Sequence, residues 1–177
     1  MKQRLMQSIF SAHKNGIIAA AALLSVSNIS AQTFTDFQYK GHDKIYNDNP
    51  LKSDEFYSPI LQGCYPDPSI TKKGDDYYLV NSSFSMFPGV PIFTSKDLVN
   101  WKQVGHVLDR PSQLKVEKGG VSQGIYAPDI KYNKYNDTFY MITTQIAGGI
   151  GNMVVKTKDP AKGWSEVQKL NFDGIDP

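Results

Sequence analysis

Short apolar and polar runs alternate through residues 58–177, and no helical period is sustained after residue 31. Tyr77-Tyr78-Leu79-Val80 and Phe139-Tyr140-Met141-Ile142 are aromatic and aliphatic runs of strand length. Each follows a polar turn, Lys72 to Asp75 in the first case and Asn133 to Asp137 in the second. Each precedes a further strand, Ile92 to Ser95 or Met153 to Thr157. A Ser/Thr-Lys-Asp turn then leads to a fourth strand bearing Trp101 or Trp164. Pro88-Gly89, Gly119-Gly120 and Gly148-Gly149 punctuate the pattern.

The pattern is a duplication. Pro66-Asp67 recurs as Pro128-Asp129, 62 residues on, and Asp75 to Val80 recurs as Asp137 to Ile142 at the same spacing. Ile92 to Asp97 recurs as Val154 to Asp159, and Ile175-Asp176-Pro177 reads as the start of a third unit. Four strands in about 60 residues, repeated, predict an all-β fold of propeller blades. Two blades and a third beginning would leave strand edges open, so a longer protein is expected. The divisions expected are a leader over residues 1–31, an irregular lead-in over 32–57 with a turn at Asn47-Asp48-Asn49-Pro50, and blades over 58–177.

Charge changes the picture only at the N-terminus. Three of the 19 basic residues, Lys2, Arg4 and Lys14, lie in residues 1–31 with no acid, leaving 16 basic against 17 acidic residues, a net charge of −1. That balance removes the electrostatic case for nucleic acid. Cys64, the one cysteine, allows no internal disulfide and is expected to be a buried or partly buried bystander. Cys64 with His42 and His106 has no zinc spacing, so neither a metal site nor a cofactor is expected.

The duplication puts Asp67, Asp129 and Asp176 at matching places before innermost strands, at one mouth of the propeller axis. Carboxylates converging on a mouth suit glycoside hydrolysis, which needs a general acid and a base or nucleophile. The competing role is turn chemistry, in which each carboxylate bonds nearby backbone amides.

Ile60-Leu61-Gln62-Gly63-Cys64-Tyr65-Pro66-Asp67-Pro68-Ser69 resembles the opening motif of family 43 glycoside hydrolases. Phe87-Pro88-Gly89-Val90 and Ser95 to Trp101 resemble the next segment of its β-xylosidase and α-L-arabinofuranosidase members. Ile125-Tyr126-Ala127-Pro128-Asp129-Ile130 resembles their Trp-Ala-Pro-Asp turn, and Asp173-Gly174-Ile175-Asp176-Pro177 their second catalytic motif. The resemblance implies a five-bladed β-propeller that inverts the anomeric centre, of which this chain holds about the first two blades and the start of a third. By motif Asp67 is the general base. Asp176 is implied to tune the pKa of a general-acid Glu and to orient substrate. That Glu is expected in a later blade beyond Pro177, so residues 32–177 alone are expected to be poorly folded and inactive. Phe84 and Tyr126 are implied to face the sugar, Tyr126 standing where many relatives have Trp. Asp129 counts among the substrate-side candidates, with a structural capping role favoured over catalysis. The resemblance allows a structural calcium ion on the axis, though no residue here demands one.

The expected partner is an oligosaccharide or polysaccharide of plant hemicellulose. The alternative is a non-catalytic carbohydrate-binding β-propeller, which a Glu in a later blade would exclude. A sucrose- or fructan-acting furanosidase ranks last, because Tyr65-Pro66-Asp67-Pro68-Ser69 replaces the Asn-Asp-Pro-Asn-Gly type of motif.

Gly16 to Val26 is an eleven-residue apolar run behind the basic residues, and Ile29 and Ala31 stand at −3 and −1 of a small-residue cleavage site. This pattern predicts a secretory signal, too short to cross ~30 Å of hydrocarbon. A bacterial-type exported protein, periplasmic or extracellular and free of the membrane after cleavage, is expected. N-terminal sequencing of the secreted protein should begin near Gln32; a mature protein that keeps Met1 would overturn this.

Overall fold

A computed structural model describes residues 43–52, 55–114 and 119–177. The expected leader and the first part of the lead-in lie outside them. The chain divides into two compact units, residues 1–50 and Leu51–Pro177. In the first, Lys44–Asp48 forms a short helix, α1, where irregular chain was expected. A single turn needs no amphipathic period, and Lys44 Nζ pairs with Asp48 Oδ2 at 2.6 Å across it.

The second unit is two four-stranded antiparallel meanders. β1 (Ser69–Lys73), β2 (Asp76–Val80), β3 (Gly89–Ser95) and β4 (Lys102–Leu108) form one sheet in that order. β5 (Asp129–Asn133), β6 (Thr138–Gln145), β7 (Gly151–Thr157) and β8 (Gln168–Lys169) form the other. These are the two expected blades. The polar turns begin later than the sequence suggested, because Lys72, Lys73 and Asn133 complete the innermost strands. The lysines tolerate strand positions by laying their ammonium groups over rings, Lys72 over Tyr77 at 4.7 Å and Lys73 over Tyr132 at 5.1 Å. Trp101 and Trp164 precede the fourth strands instead of lying on them. Trp101 donates its indole N–H to Leu98 O at 2.9 Å, and Trp164 is buried in the core.

The repeated Ser/Thr-Lys-Asp turns share one mechanism. Asp97 accepts from the backbone N–H of Val99 at 3.0 Å and of Asn100 at 2.7 Å, and from the Asn100 side chain at 2.8 Å. Those donors, the Asn100 side chain first, hold its carboxyl well below the usual carboxylate range. At the matching turn Asp159 accepts from Ala161 N–H at 3.1 Å, and its own N–H donates to Thr157 Oγ1 at 3.1 Å.

One hydrophobic core joins the blades. Val80, Val90, Ile92, Val107 and Leu108 come from the first sheet; Ile130, Phe139, Met141, Met153 and Val155 come from the second. Tyr78 meets Phe139 edge-on at 4.7 Å between ring centroids. β1 and β5 lie side by side in separate sheets, and hydroxyls cross the gap. Ile130 N–H donates to Ser69 Oγ at 3.1 Å, and Tyr132 N–H to Thr71 Oγ1 at 3.0 Å. Farther out, the buried Gln113 amide accepts from Asp109 N–H at 3.0 Å and donates to Ser165 O at 2.7 Å. Lys73 and Tyr132 both donate to Asp137 Oδ1 at the turn end of the inner strands, and these bonds, Lys73's first, hold that carboxyl below its ordinary range.

A second junction depends on glycine. Phe84 and Ile125 exchange two backbone hydrogen bonds of 2.9 Å each. Gly124 precedes that contact with φ +134°, and a Cβ there would meet Phe84 O at 2.2 Å. In the protein expressed from the complete reading frame encoding this chain, Gly124→Ala should cost about 2–3 kcal/mol. Gly120→Ala, whose Cβ meets nothing closer than Gln123 Cδ at 4.0 Å, should leave the denaturant midpoint nearly unchanged. Matching midpoints for the two variants would show that the junction shifts without strain.

Candidate active site

The registers revise which residues are equivalent. Ser69 pairs with Val80 and Asp129 pairs with Ile142. The second and third strands of the blades correspond at a spacing of 62, but the first strands correspond at 60, the separation of Ser69 and Asp129. The cause is the hairpin: Gly74 and Asp75 join β1 to β2, whereas residues 134–137 join β5 to β6. Asp129 therefore stands where the first blade has Ser69, and the counterpart of Asp67 is Ala127. The expected equivalence of Asp67 and Asp129 does not hold.

Asp129 is bonded inside the blade junction. Ser69 Oγ donates to its Oδ1 at 2.6 Å, and Lys131 Nζ lies 3.2 Å from the same oxygen. Asp67 and Asp176 are instead exposed, and both hold left-handed backbone, φ +53° and +55°. Only a few per cent of non-glycine residues do so.

The Asp67 loop is fixed from the end of β2. Asn81, 1% exposed, donates its side-chain N–H to Tyr65 O at 2.9 Å and Pro66 O at 3.3 Å. Ser82 N–H donates to Pro66 O at 3.1 Å. The Tyr65 ring stands edge-on to Phe93 at 5.4 Å. Two residues beyond Ser82, Phe84 takes φ +47° and turns back to pair with Ile125. The half-buried rings of Phe84 and Tyr126 meet edge to face at 6.3 Å and 77°. Tyr126 is held by its own N–H to Thr144 O at 3.0 Å and by Thr143 Oγ1 donating to its carbonyl at 3.0 Å. Next to it, Ala127 N–H donates to Asp176 Oδ1 at 3.2 Å.

The mouth is thus one connected belt. It runs from the Asp67 loop through Asn81 and Ser82 to Phe84, across to Ile125 and Tyr126, and through Ala127 to Asp176. Asp67, Phe84, Tyr126 and Asp176 were legible in the sequence; Asn81 and the amide of Ala127 were not. The polar run Asn81-Ser82-Ser83 after an apolar strand was the available signal for Asn81. A depression lined by Lys72, Gly74, Tyr132, Asn133, Lys134 and Tyr135 lies at the opposite ends of β1 and β5, away from the carboxylates. Cys64 is exposed, contrary to expectation, because it lies in the loop before β1 and not on a strand. Among the described residues no three His, Cys, Asp or Glu side chains gather to hold a metal ion.

The profile of glycosyl hydrolases family 43 matches residues 56–177. The chain belongs to this family. It is 55% identical over 123 residues to a xylosidase/arabinosidase of Butyrivibrio fibrisolvens, covering 68% of this chain and 23% of that protein. It is 44% identical over 130 residues to a non-reducing end α-L-arabinofuranosidase of Bacteroides ovatus, covering 72% of this chain and 24% of that one. The crystal structure of a GH43_12 protein retrieved from capybara gut metagenome superposes with TM-score 0.73 at 71% identity, over 77% of this chain and 26% of that one. The solved family 43 relatives are five-bladed β-propellers, and the two meanders here are blades of that kind. The chain spans about a quarter of the length of the curated relatives it matches.

Asp129→Ala removes the acceptor of the Ser69 hydroxyl. It should cost about 1 kcal/mol of stability while turnover of an aryl glycoside by the complete protein stays within a few-fold of wild type. A loss of turnover as deep as that of Asp67→Asn would place Asp129 in the chemistry and overturn its role as a junction residue.

Proposed function

We propose that this chain supplies the base side of an inverting, exo-acting glycosidase that cleaves β-D-xylosides or α-L-arabinofuranosides. The observation that carries the reading is the pairing of Asp67 and Asp176. They are two exposed aspartates in matching left-handed backbone, tied into one belt with the Phe84–Tyr126 aromatic corner. Family membership and the xylosidase and arabinofuranosidase names of the relatives support the substrate class.

In this reading Asp67 accepts the proton of a water that attacks the anomeric carbon. Its exposure leaves a face open to that water. A general acid protonates the departing oxygen from the opposite side. The resemblance gives that part to a Glu in a later blade. Inversion sets base and acid ~6.5–9.5 Å apart, so that the water fits between base and sugar. The carboxylate of Asp176, oriented by the Ala127 amide, raises the acid's pKa by like-charge repulsion and keeps it protonated at working pH. Phe84 and Tyr126 offer apolar ring surface to a sugar face.

The test uses the protein expressed from the complete reading frame. Asp67→Asn keeps the shape but cannot take the proton, so kcat should fall by ~10²–10⁴-fold with an unchanged melting temperature. Asp176→Asn should lower the rate and move the basic limb of the pH–rate profile to lower pH, because losing a neighbouring negative charge lowers the acid's pKa. Proton NMR of the first sugar released from a β-xyloside should show the α anomer. Near-normal turnover in Asp67→Asn, or a β product, would overturn the proposal.

A further inference from the structure

Residues 170–177 form no strand, yet they carry Asp176. Backbone without a ladder needs other partners to hold one position. Those partners converge on Asn152, the second residue of β7, which is 2% exposed. Its side-chain N–H groups donate to Phe172 O at 3.1 Å and Gly174 O at 3.2 Å. Its backbone carbonyl accepts from Leu170 N–H at 2.8 Å. Its side-chain carbonyl accepts from Thr144 Oγ1 at 2.5 Å, which sets which way the amide faces. Thr144, opposite Asn152 across the β6–β7 ladder, also accepts the N–H of Tyr126 through its backbone carbonyl.

We propose that Asn152 is a positioning residue for Asp176. The Thr144–Asn152 pair reaches the Tyr126-Ala127 turn on one side and the Phe172–Gly174 segment on the other. It therefore fixes how far Asp176 stands from the amide of Ala127 and from the sugar-facing ring of Tyr126. Gly174, whose carbonyl is the second tether point, turns the chain there with φ +108°, and Asp176 follows in left-handed backbone. Without the amide of Asn152, two carbonyls lose their donors and the turn relaxes toward commoner backbone. The carboxylate then moves away from the acid whose ionisation it sets. The inference rests on the role proposed above for Asp176.

The experiment compares Asn152→Ala, Thr144→Val and Asp176→Asn, and the double variant of Asn152 and Asp176, in the protein from the complete reading frame. Each is assayed as kcat, KM and pH–rate profile on an aryl xyloside and an aryl arabinofuranoside. Displacing a reacting geometry by about 1 Å costs up to ~10²-fold. Asn152→Ala should therefore lower kcat by ~10–100-fold with little change in KM, and move the basic limb to lower pH as Asp176→Asn does. In the Asp176→Asn background the same change should cost little more, because coupled sites are not additive. Thr144→Val keeps the volume and removes only the hydroxyl that orients the amide, so it should give a smaller shift in the same direction even if Asn152→Ala does not fold. Equal fold-losses in both backgrounds with unshifted profiles for Asn152→Ala and Thr144→Val would show a merely structural residue and overturn the tether. A wild-type rate and profile in Asp176→Asn alone would overturn the role of Asp176 itself, which separates that failure from a failure of the tether.

Discussion

The innermost strands of the two blades lie side by side with no backbone ladder between them, and the rest of the arrangement follows from how that gap is closed. A strand edge with unpaired N–H groups is unstable when covered by anything but a partner. Here the partners are side chains: Ser69 and Thr71 turn their hydroxyls to the N–H groups of Ile130 and Tyr132. The spacing of two between donors matches the spacing of two along a strand, so one face of β1 serves one edge of β5. Because the bonds come from short side chains, the strands can diverge as blades require while staying in register. That register brings the loops before β1 and β5 to the same mouth.

The loops at that mouth hold uncommon backbone. Asp67, Phe84 and Asp176 all have positive φ. Each such residue costs of order 1 kcal/mol or more and persists only where its surroundings over-determine it. Buried polar side chains supply that constraint. Asn81 clamps the carbonyls before Asp67, and Asn152 clamps those before Asp176. Phe84 is locked by backbone pairing with Ile125, which the missing side chain of Gly124 permits. The exposed carboxylates thus stand on short loops whose bases are fixed in the core.

Alternation and duplication made the central strands legible. Tyr77 to Val80 against Phe139 to Ile142, and Ile92 to Ser95 against Val154 to Thr157, fall at equivalent registers in both sheets. A uniform spacing of 62 misaligns the innermost strands by two, because the longer second hairpin hides its extra residues in polar sequence that reads as turn in either case. Pro128-Asp129 looked like a copy of Pro66-Asp67 for the same reason. An aromatic residue in a repeat suggests a strand, but both tryptophans precede the fourth strands: Trp101 closes its turn through Leu98 O, and Trp164 packs into the core. Asp67, Phe84, Tyr126 and Asp176 were visible through motifs. Asn81 and Asn152 were not, since their partners lie up to 16 and 22 residues away and depend on loops with no periodic signal.

At the mouth the two blades differ. The position before the innermost strand is Asp67 in the first blade and Ala127 in the second. Asp176 follows on the next loop, and Ala127 gives it a backbone amide. A carboxylate at position 127 would stand beside that of Asp176, and two ionised groups so close oppose each other's charge. Alanine at that place removes the conflict and leaves the amide free to orient its neighbour. The duplicated fold thus repeats the register of its second and third strands and its Asp-capped turns, and at the mouth it places alanine where a faithful copy would set a second carboxylate beside Asp176.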